Sequence, residues 1–286
     1  MGEDVPASVW LVDKPAGPTS HDIVAQIRRR LGRQTRVGHA GTLDPFATGL
    51  LVVLVGRATR LARFLTGLDK TYEALFRLGY SSATGDPEGP LVRRGAPPPR
   101  GMLLDALNRF RGAQEQRVPD FAAVKVDGER LYRRARRGEE ISAPTRPVTI
   151  HELELIEGPD DDGVASVRVR VSSGTYIRQL AADIGEALGC GAYCHALRRI
   201  GVGGDLTIDD ACTAEVVGAR GGIDLERAVA HLPRRDLSDD EVLLVSHGRP
   251  LESDDDRPEV ALVGRQGLTA IARGGDGRLQ PIVVLT

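Results

Sequence analysis

Apolar positions along the 286-residue chain follow two different periods, and the changes between them mark out its elements. Ser8-Val9-Trp10-Leu11-Val12 reads as a strand. Pro15, Gly17 and Pro18 then mark a loop, with Thr19 or Ser20 placed to cap the helix that follows. Ile23, Ile27 and Leu31 recur at i, i+4 and i+8, which sets one apolar stripe on that helix. Residues 50–55 are unbroken Leu and Val, the pattern of a buried strand or short buried element. Over residues 70–80 the period becomes two, so Tyr72, Ala74, Phe76, Leu78 and Tyr80 share one face of a strand. Residues 81–99 are rich in Gly and Pro and read as a loop and nothing more. Residues 101–110 read as a helix. Two strands are expected at 146–157 and 164–171, joined by a turn at Asp160-Asp161-Asp162-Gly163. The second alternates Val167, Val169 and Val171 with Arg168 and Arg170, giving one buried and one solvated face. A strand ending at Gly174 leads into an amphipathic helix that reaches Leu188-Gly189. Beyond Gly204 the expected strands are short, at 242–245, 260–263, 268–272 and 282–285, spaced by Gly and Asp turns as in a small all-β module.

Composition narrows the class. Apolar residues make up 41% and charged residues 27% of the chain, ordinary values for a globular protein. No apolar run reaches membrane-spanning length and the first residues, Met1-Gly2-Glu3-Asp4, are acidic, so no membrane partner and a cytoplasmic location are expected. Cys190, Cys194 and Cys212 form no paired Cys-x-x-Cys framework, which predicts reduced thiols and no structural zinc. His151-Glu152 starts no zinc helix because residue 155 is Leu. The three aspartates at 160–162 lack the later ligands of a calcium loop. The net charge of -2 conceals an asymmetry: residues 1–200 carry 29 basic and 24 acidic side chains, and residues 201–286 carry 9 and 16. The first part suits a polyanion, whereas the second reads as a solvated appendage. Arg28, Arg29, Arg30, Arg33 and Arg36 gather at the end of the first helix, where a solvated face and contact with RNA phosphates are both open readings.

Chemistry concentrates in Gly38-His39-Ala40-Gly41-Thr42-Leu43-Asp44-Pro45-Phe46-Ala47-Thr48-Gly49-Leu50-Leu51. Glycine permits backbone shapes and close approaches closed to other residues, and Pro45 fixes φ. Followed at once by a buried run, the segment places Asp44 on a tightly shaped loop against the core; a solvated turn is the plainer alternative. It cannot be a phosphate-binding P-loop, for it has no Gly-Lys-Ser/Thr ending.

This segment closely resembles the catalytic motif of the bacterial TruB family, the tRNA pseudouridine-55 synthases. Further stretches resemble other motifs of that family. Lys14-Pro15 is similar to its first motif, which supports the active-site pocket. Lys70-Thr71-Tyr72-Glu73 is similar to the segment whose Tyr packs on the target base, although Tyr72 by itself reads as core. Residues 82–89 resemble a further motif without its usual Asp before Thr84-Gly85-Asp86. Residues 118–138 resemble a Pro-Pro-x-x-Ser-Ala-Val-Lys segment, with Val118 and Ala122 as departures. Gly174-Thr175-Tyr176-Ile177-Arg178 resembles the segment whose arginine pairs with the catalytic Asp, and Leu197-Arg198-Arg199 the one whose leucine lines the uracil pocket.

The resemblance implies an α+β fold, a mixed and largely antiparallel central sheet with flanking helices, plus a small PUA-like β module. It implies a catalytic domain over 1–205, a connection over 206–233 and the PUA-like domain over 234–286. It also implies an enzyme that converts the uridine at position 55, in the TΨC arm of tRNA, to pseudouridine by base flipping, with no cofactor and no metal. Asp44 would be the catalytic carboxylate and Arg178 its partner, since a nearby cation favours the ionised form. Tyr72, Tyr176 and Leu197 would wall the base pocket, and His39 would fill the gap that the flipped nucleotide leaves. A basic flap over about 117–146, with Lys125, Arg130, Arg133 and Arg136, would grip the RNA backbone; a solvated basic helix is the plainer reading of those residues. The protein is expected to act as a monomer. A non-catalytic RNA-binding or tRNA-folding factor on the same scaffold is the alternative from another class. An Asp-dependent glycoside hydrolase fits less well, because it lacks the usual second carboxylate.

Overall fold

The computed structural model describes residues 5–121, 125–126, 129–131, 137, 139, 143–219 and 221–285. The chain forms two compact units. The first comprises Met1–Pro45, Gly49–Leu68 and Gly201–Thr286, and the second Phe46–Thr48 and Asp69–Ile200.

The first unit opens with β1 (Ser8–Lys14), α1 (Ser20–Leu31), β2 (Val37–His39) and β3 (Thr48–Val55). β1 and β2 both pair antiparallel with β3. The unbroken apolar run of β3 is explained by its burial: every residue from Gly49 to Val55 is inside, as expected of a strand covered on both faces. α1 begins at a reciprocal cap. The Thr19 hydroxyl accepts the Asp22 N–H, and the Asp22 carboxylate accepts the Thr19 N–H. Its stripe of Ile23 and Ile27 packs into a cluster with Trp10, Val12, Leu51 and Val53. A turn of 3-10 helix at Gly56–Leu61 then leads to α2 (Ala62–Thr66).

The second unit holds β4 (Lys70–Leu78), β5 (Tyr80–Ser82), β6 (Leu91–Arg93), α3 (Arg100–Arg109) and β7 (Gly112–Arg117). After it come β8 (Lys125–Val126), β9 (Glu129–Arg130), β10 (Thr145–Glu157), β11 (Val164–Val171), α4 (Ile177–Ala187) and β12 (Ala192–Val202). Strands run in the order β12-β4-β11-β10-β7, with the β4–β11, β11–β10 and β10–β7 pairs antiparallel. β4 alternates buried and half-buried positions along its whole length, the period-two pattern read from the sequence. Tyr80 does not share that face as expected. Gly79, at φ 88°, turns the chain out of β4 first, and a Cβ there would lie 2.9 Å from the Gly95 carbonyl oxygen. Residues 81–99, expected as plain loop, contain the β5–β6 hairpin, with Tyr80 opposite Arg93.

The chain then returns to the first unit through β13 (Leu206–Thr207), α5 (Leu225–Ala228), β14 (Arg234–Asp236), α6 (Asp239–Ser246), β15 (Leu251–Glu252), β16 (Val260–Gly264), β17 (Gly267–Gly275) and β18 (Arg278–Val284). Five of these make a sheet in the order β14-β16-β17-β18-β15, the small β module expected of a PUA-like domain. Residues 242–245, expected as a strand, lie inside α6. Ser238 and Glu241 form a second reciprocal cap that starts a helix there, and four apolar residues carry too little period to tell the two apart. Nor is the acidic C-terminal part a solvated appendage. Ala261, Val263, Leu268, Ile271 and Leu285 share one buried cluster with Val9, Leu11, Leu50, Val52 and Leu54. The α+β class inferred from the sequence describes both units.

Lys70 occupies an inward position of β4 and is 6% exposed. Burial disfavours its charged form and Arg199 adds repulsion, against a smaller pull from Asp69, so its pKa falls from the ordinary 10.5 to about 8. Between those values the unfolded chain binds the extra proton, so the stability that Lys70 contributes rises with pH and is lost as pH falls through about 8. A 13Cε resonance of Lys70 is expected to titrate with a midpoint near 8. Wild-type stability relative to Lys70→Met should climb over the same interval, as followed by denaturant unfolding. For the shared core, Ile271→Ala should cost about 2–5 kcal/mol. Because Trp10 is the one tryptophan in the chain and lies in the same unit, its fluorescence should report a lowered unfolding midpoint although the substitution is in the C-terminal sheet.

Candidate active site

Asp44 lies in the loop between β2 and β3, half-buried, in a stretch with no regular structure. Its neighbours on both sides are fastened. On one side, the Ser20 hydroxyl accepts the Leu43 N–H at 2.9 Å and donates to the Leu43 carbonyl at 3.2 Å. On the other, the Pro45 carbonyl accepts the Gly17 N–H at 2.9 Å and the Lys14 ammonium at 3.2 Å. Lys14 is wholly buried. Its Nζ also donates to the carbonyls of Pro15 and Pro18, each at 2.8 Å. Lys14 therefore joins the Pro15–Pro18 loop to the residue after Asp44, while Pro15 itself is exposed. His39 ends β2 half-buried, its ring edge-to-face with that of His21 at 5.5 Å.

Tyr72, Tyr176, Arg178 and Leu197 belong to the second unit. Arg178 sits in the first turn of α4 and is 4% exposed. Its Nη1 donates to the Thr84 carbonyl at 2.7 Å and to the Asp86 carboxylate at 3.3 Å, and its Nη2 to the Phe121 carbonyl at 3.4 Å. Asp86 is equally enclosed, with 5% exposed. Thr84 donates its hydroxyl to one Asp86 oxygen, and the Glu88 N–H donates to the same oxygen at 3.1 Å. A buried ion pair of this kind stands only when the remaining donors and acceptors are met, and here backbone groups and the Thr84 hydroxyl contribute. Gly85 is required at the contact: its φ is 75°, and a Cβ there would come within 3.2 Å of the Arg178 Cβ. The Gly85 carbonyl in turn accepts the Cys194 N–H at 3.0 Å, which fixes the loop to β12.

Asp86 is the residue that sequence reasoning missed. Thr84-Gly85-Asp86 stood in view as part of a recognisable motif. The partner of Asp86 lies 92 positions away, beyond the reach of any local pattern, so the stretch reads as loop.

Tyr176 caps α4. Its N–H donates to the Gln116 side-chain oxygen at 2.8 Å and its carbonyl accepts from the Gln116 amide at 3.0 Å. The ring is half-buried, with the Arg146 guanidinium 5.3 Å from its centre. Tyr72 on β4 and Leu197 on β12 are buried, on strands that neighbour each other in the sheet. Arg198, next to Leu197, reaches the Thr48 hydroxyl at 3.4 Å. Of the flap residues, Arg133 and Arg136 lie outside the described residues. For Lys125 and Arg130 the description extends to the backbone alone, in the β8–β9 pair. Nearby, Arg137 forms ion pairs with Glu129 and Glu139. Among the described residues no cluster of His, Cys, Asp and Glu has the makings of a metal site, and no helix is long and apolar enough to cross a membrane.

The first unit offers one carboxylate on a braced loop; the second offers a buried arginine held on fixed acceptors, with aromatic and aliphatic side chains on rigid elements. Comparison with known proteins gives these features a context. The profile described as TruB family pseudouridylate synthase (N terminal domain) matches residues 28–177, and that of the tRNA pseudouridylate synthase B C-terminal domain matches residues 178–220. A protein named tRNA pseudouridine synthase B from Thermobifida fusca (strain YX) is 44% identical over 287 residues, covering 96% of this chain and 97% of its own. One of the same name from Arthrobacter sp. (strain FB24) is 40% identical over 292 residues, covering 96% and 95%. Among solved structures, a Cbf5-Nop10-Gar1 complex contains a chain that superposes with a TM-score of 0.74 at 27% identity, covering 99% of this chain and 86% of that one. An H/ACA RNP bound to a substrate RNA containing 2'-deoxyuridine gives 0.73 at 26% identity, covering 97% and 84%. By profile and by full-length identity, this chain belongs to the TruB family of pseudouridylate synthases.

Proposed function

We propose that this enzyme isomerises uridine 55 in the TΨC arm of tRNA to pseudouridine, with Asp44 as its single catalytic carboxylate. The observation that carries the reading is the bracing of Leu43 and Pro45 by Ser20, Gly17 and Lys14, which presents one carboxylate from a loop that is otherwise irregular. The relatives named tRNA pseudouridine synthase B supply the substrate class.

In the reaction the N1–C1′ bond breaks, the uracil turns, and a C5–C1′ bond forms. C5 gives up its proton and N1 gains one, so nothing is oxidised or reduced. Asp44 acts either as the nucleophile at C1′ or as the base that removes a ribose proton. Arg178 is the cation proposed to keep that carboxylate ionised, because positive charge favours the charged form. A uridine inside a folded arm is inaccessible until it leaves the stack. Tyr72, Tyr176 and Leu197 are assigned to the pocket that receives it, and His39 to the gap it leaves. Lys125, Arg130, Arg133 and Arg136 of the flap over about 117–146 are assigned to RNA phosphates, within a catalytic domain spanning 1–205 and followed by the PUA-like domain over 234–286. The enzyme is proposed to work in the cytoplasm as a monomer.

Incubating the purified protein with an unmodified tRNA transcript and mapping pseudouridine by position should yield one modified site, at 55; modification elsewhere, or none, overturns the assignment. Asp44→Asn should abolish product while tRNA affinity, measured by filter binding, stays near wild type. If Asp44→Asn left cellular function intact, the non-catalytic tRNA-folding factor would be favoured instead. Asp86→Asn removes the charge from the buried carboxylate that Arg178 Nη1 meets, so it should lower stability, by up to about 3–5 kcal/mol. In the fraction that remains folded, the single-turnover rate should fall at least about tenfold.

A further inference from the structure

The loop that carries Asp44 has an anchor that the reaction scheme does not use. Ser20 is the first residue of α1 and is wholly buried. Leu43 is 4% exposed, and both of its backbone polar groups reach the same Ser20 oxygen. A buried N–H and C=O outside regular structure need partners. Here a single side chain imitates a strand neighbour by accepting from one and donating to the other.

The position of that hydroxyl is itself set by sequence. Thr19-Ser20-His21-Asp22 forms the reciprocal cap in which the Asp22 carboxylate takes both the Thr19 N–H, at 2.9 Å, and the Thr19 hydroxyl, at 2.6 Å. The cap fixes the start of the helix, the helix start orients Ser20, and Ser20 holds the residue immediately before Asp44. Ile23 and Ile27 bury the same helix in the core, so the anchor rests on packed structure.

We propose that Ser20 is a positioning residue for the Asp44 carboxylate, acting through the Leu43 backbone. The inference rests on the assignment of Asp44 as the catalytic carboxylate. Ser20 is wholly buried, where a hydroxyl is costly unless it is hydrogen-bonded. Its two bonds to one backbone residue give the hydroxyl a specific task. Releasing Leu43 lets Asp44 drift by a fraction of an ångström to an ångström, enough to cost on the order of a hundredfold in rate when reacting groups must be aligned. Binding of the tRNA, spread over a much larger surface, should be untouched.

The test uses Ser20→Ala and Ser20→Cys in the full chain, the second keeping the volume while offering a poor hydrogen-bonding group. The readouts are the single-turnover rate on tRNA transcript at saturating enzyme, the tRNA Kd, the melting temperature, and hydrogen exchange over a peptide spanning Leu43. The expected result is a rate about tenfold to a hundredfold lower in both variants, with wild-type Kd, a melting temperature within a few degrees of wild type and faster exchange at Leu43. A wild-type rate in either variant overturns the proposal. So does loss of folding, or a fall in rate and affinity together, since either assigns Ser20 a purely structural role. Asp44→Asn, run in parallel, separates the two failures: an active Asp44→Asn removes the reading of Asp44 itself, whereas an inactive Asp44→Asn beside a fully active Ser20→Ala removes this inference alone.

Discussion

A buried ammonium shapes the loop that carries Asp44. Lys14 has no access to water, and an ion in that position costs several kcal/mol unless other dipoles replace its hydration. Carbonyls of Pro15, Pro18 and Pro45 are among the dipoles that take that place. Proline suits this task for a physical reason: its locked φ and missing N–H keep it out of helix and sheet ladders, so its carbonyl is left over to accept. Charge-assisted bonds of this type are about twice as strong as neutral ones. Meeting the demands of one cation thus draws two irregular segments together, and Asp44 is the residue next to where they meet.

How much of this was legible depended on the range of the interaction involved. The cap of α1, the alternation of β4 and the turn at residues 160–163 all follow from residues a few positions apart, and each reads directly from the sequence. The helix at Asp239–Ser246 is also local, but its signal lies in Ser238 and Glu241 rather than in the four apolar residues that suggested a strand. The ion pair of Arg178 with Asp86 and the link from Ser20 to Leu43 join positions 92 and 23 residues apart. No periodicity encodes such pairings. For Arg178 a family motif pointed to a functional role without revealing the carboxylate that fixes it.

Charge misled the reading of the C-terminal part for a related reason. Net charge describes the surface of an element, while its place in the fold is set by what it buries. Several acidic side chains of this region pair with nearby arginines: Arg234 with Glu226 and Asp236, Arg235 with Glu241, Arg257 with Asp255. Exposed pairs of that kind contribute little to stability. Ile271, Ala261 and Val263, packed in one cluster with Val9, Leu11 and Leu50, contribute far more per residue through burial. The C-terminal sheet therefore counts as part of the body that supports β1 and β3, whatever its outward charge.

A division of labour follows from where each functional side chain sits. Tyr72 and Leu197 stand on strands and Arg178 on a helix, elements whose backbone bonds already hold them still. Asp44 has no such support, since its stretch of backbone belongs to no ladder. Catalysis by one carboxylate gains from charge that need not reorganise during the reaction, so a loop residue given this task has to acquire rigidity from side chains instead. The dense polar contacts on either side of Asp44 are that substitute. Their arrangement explains why a serine and a lysine are buried in a part of the fold where apolar residues would pack at lower cost. The same logic accounts for Gly17 and Pro45: one supplies an N–H from a backbone at φ 102°, and the other a carbonyl, so that the loop is held by its own main chain as well as by the two polar side chains.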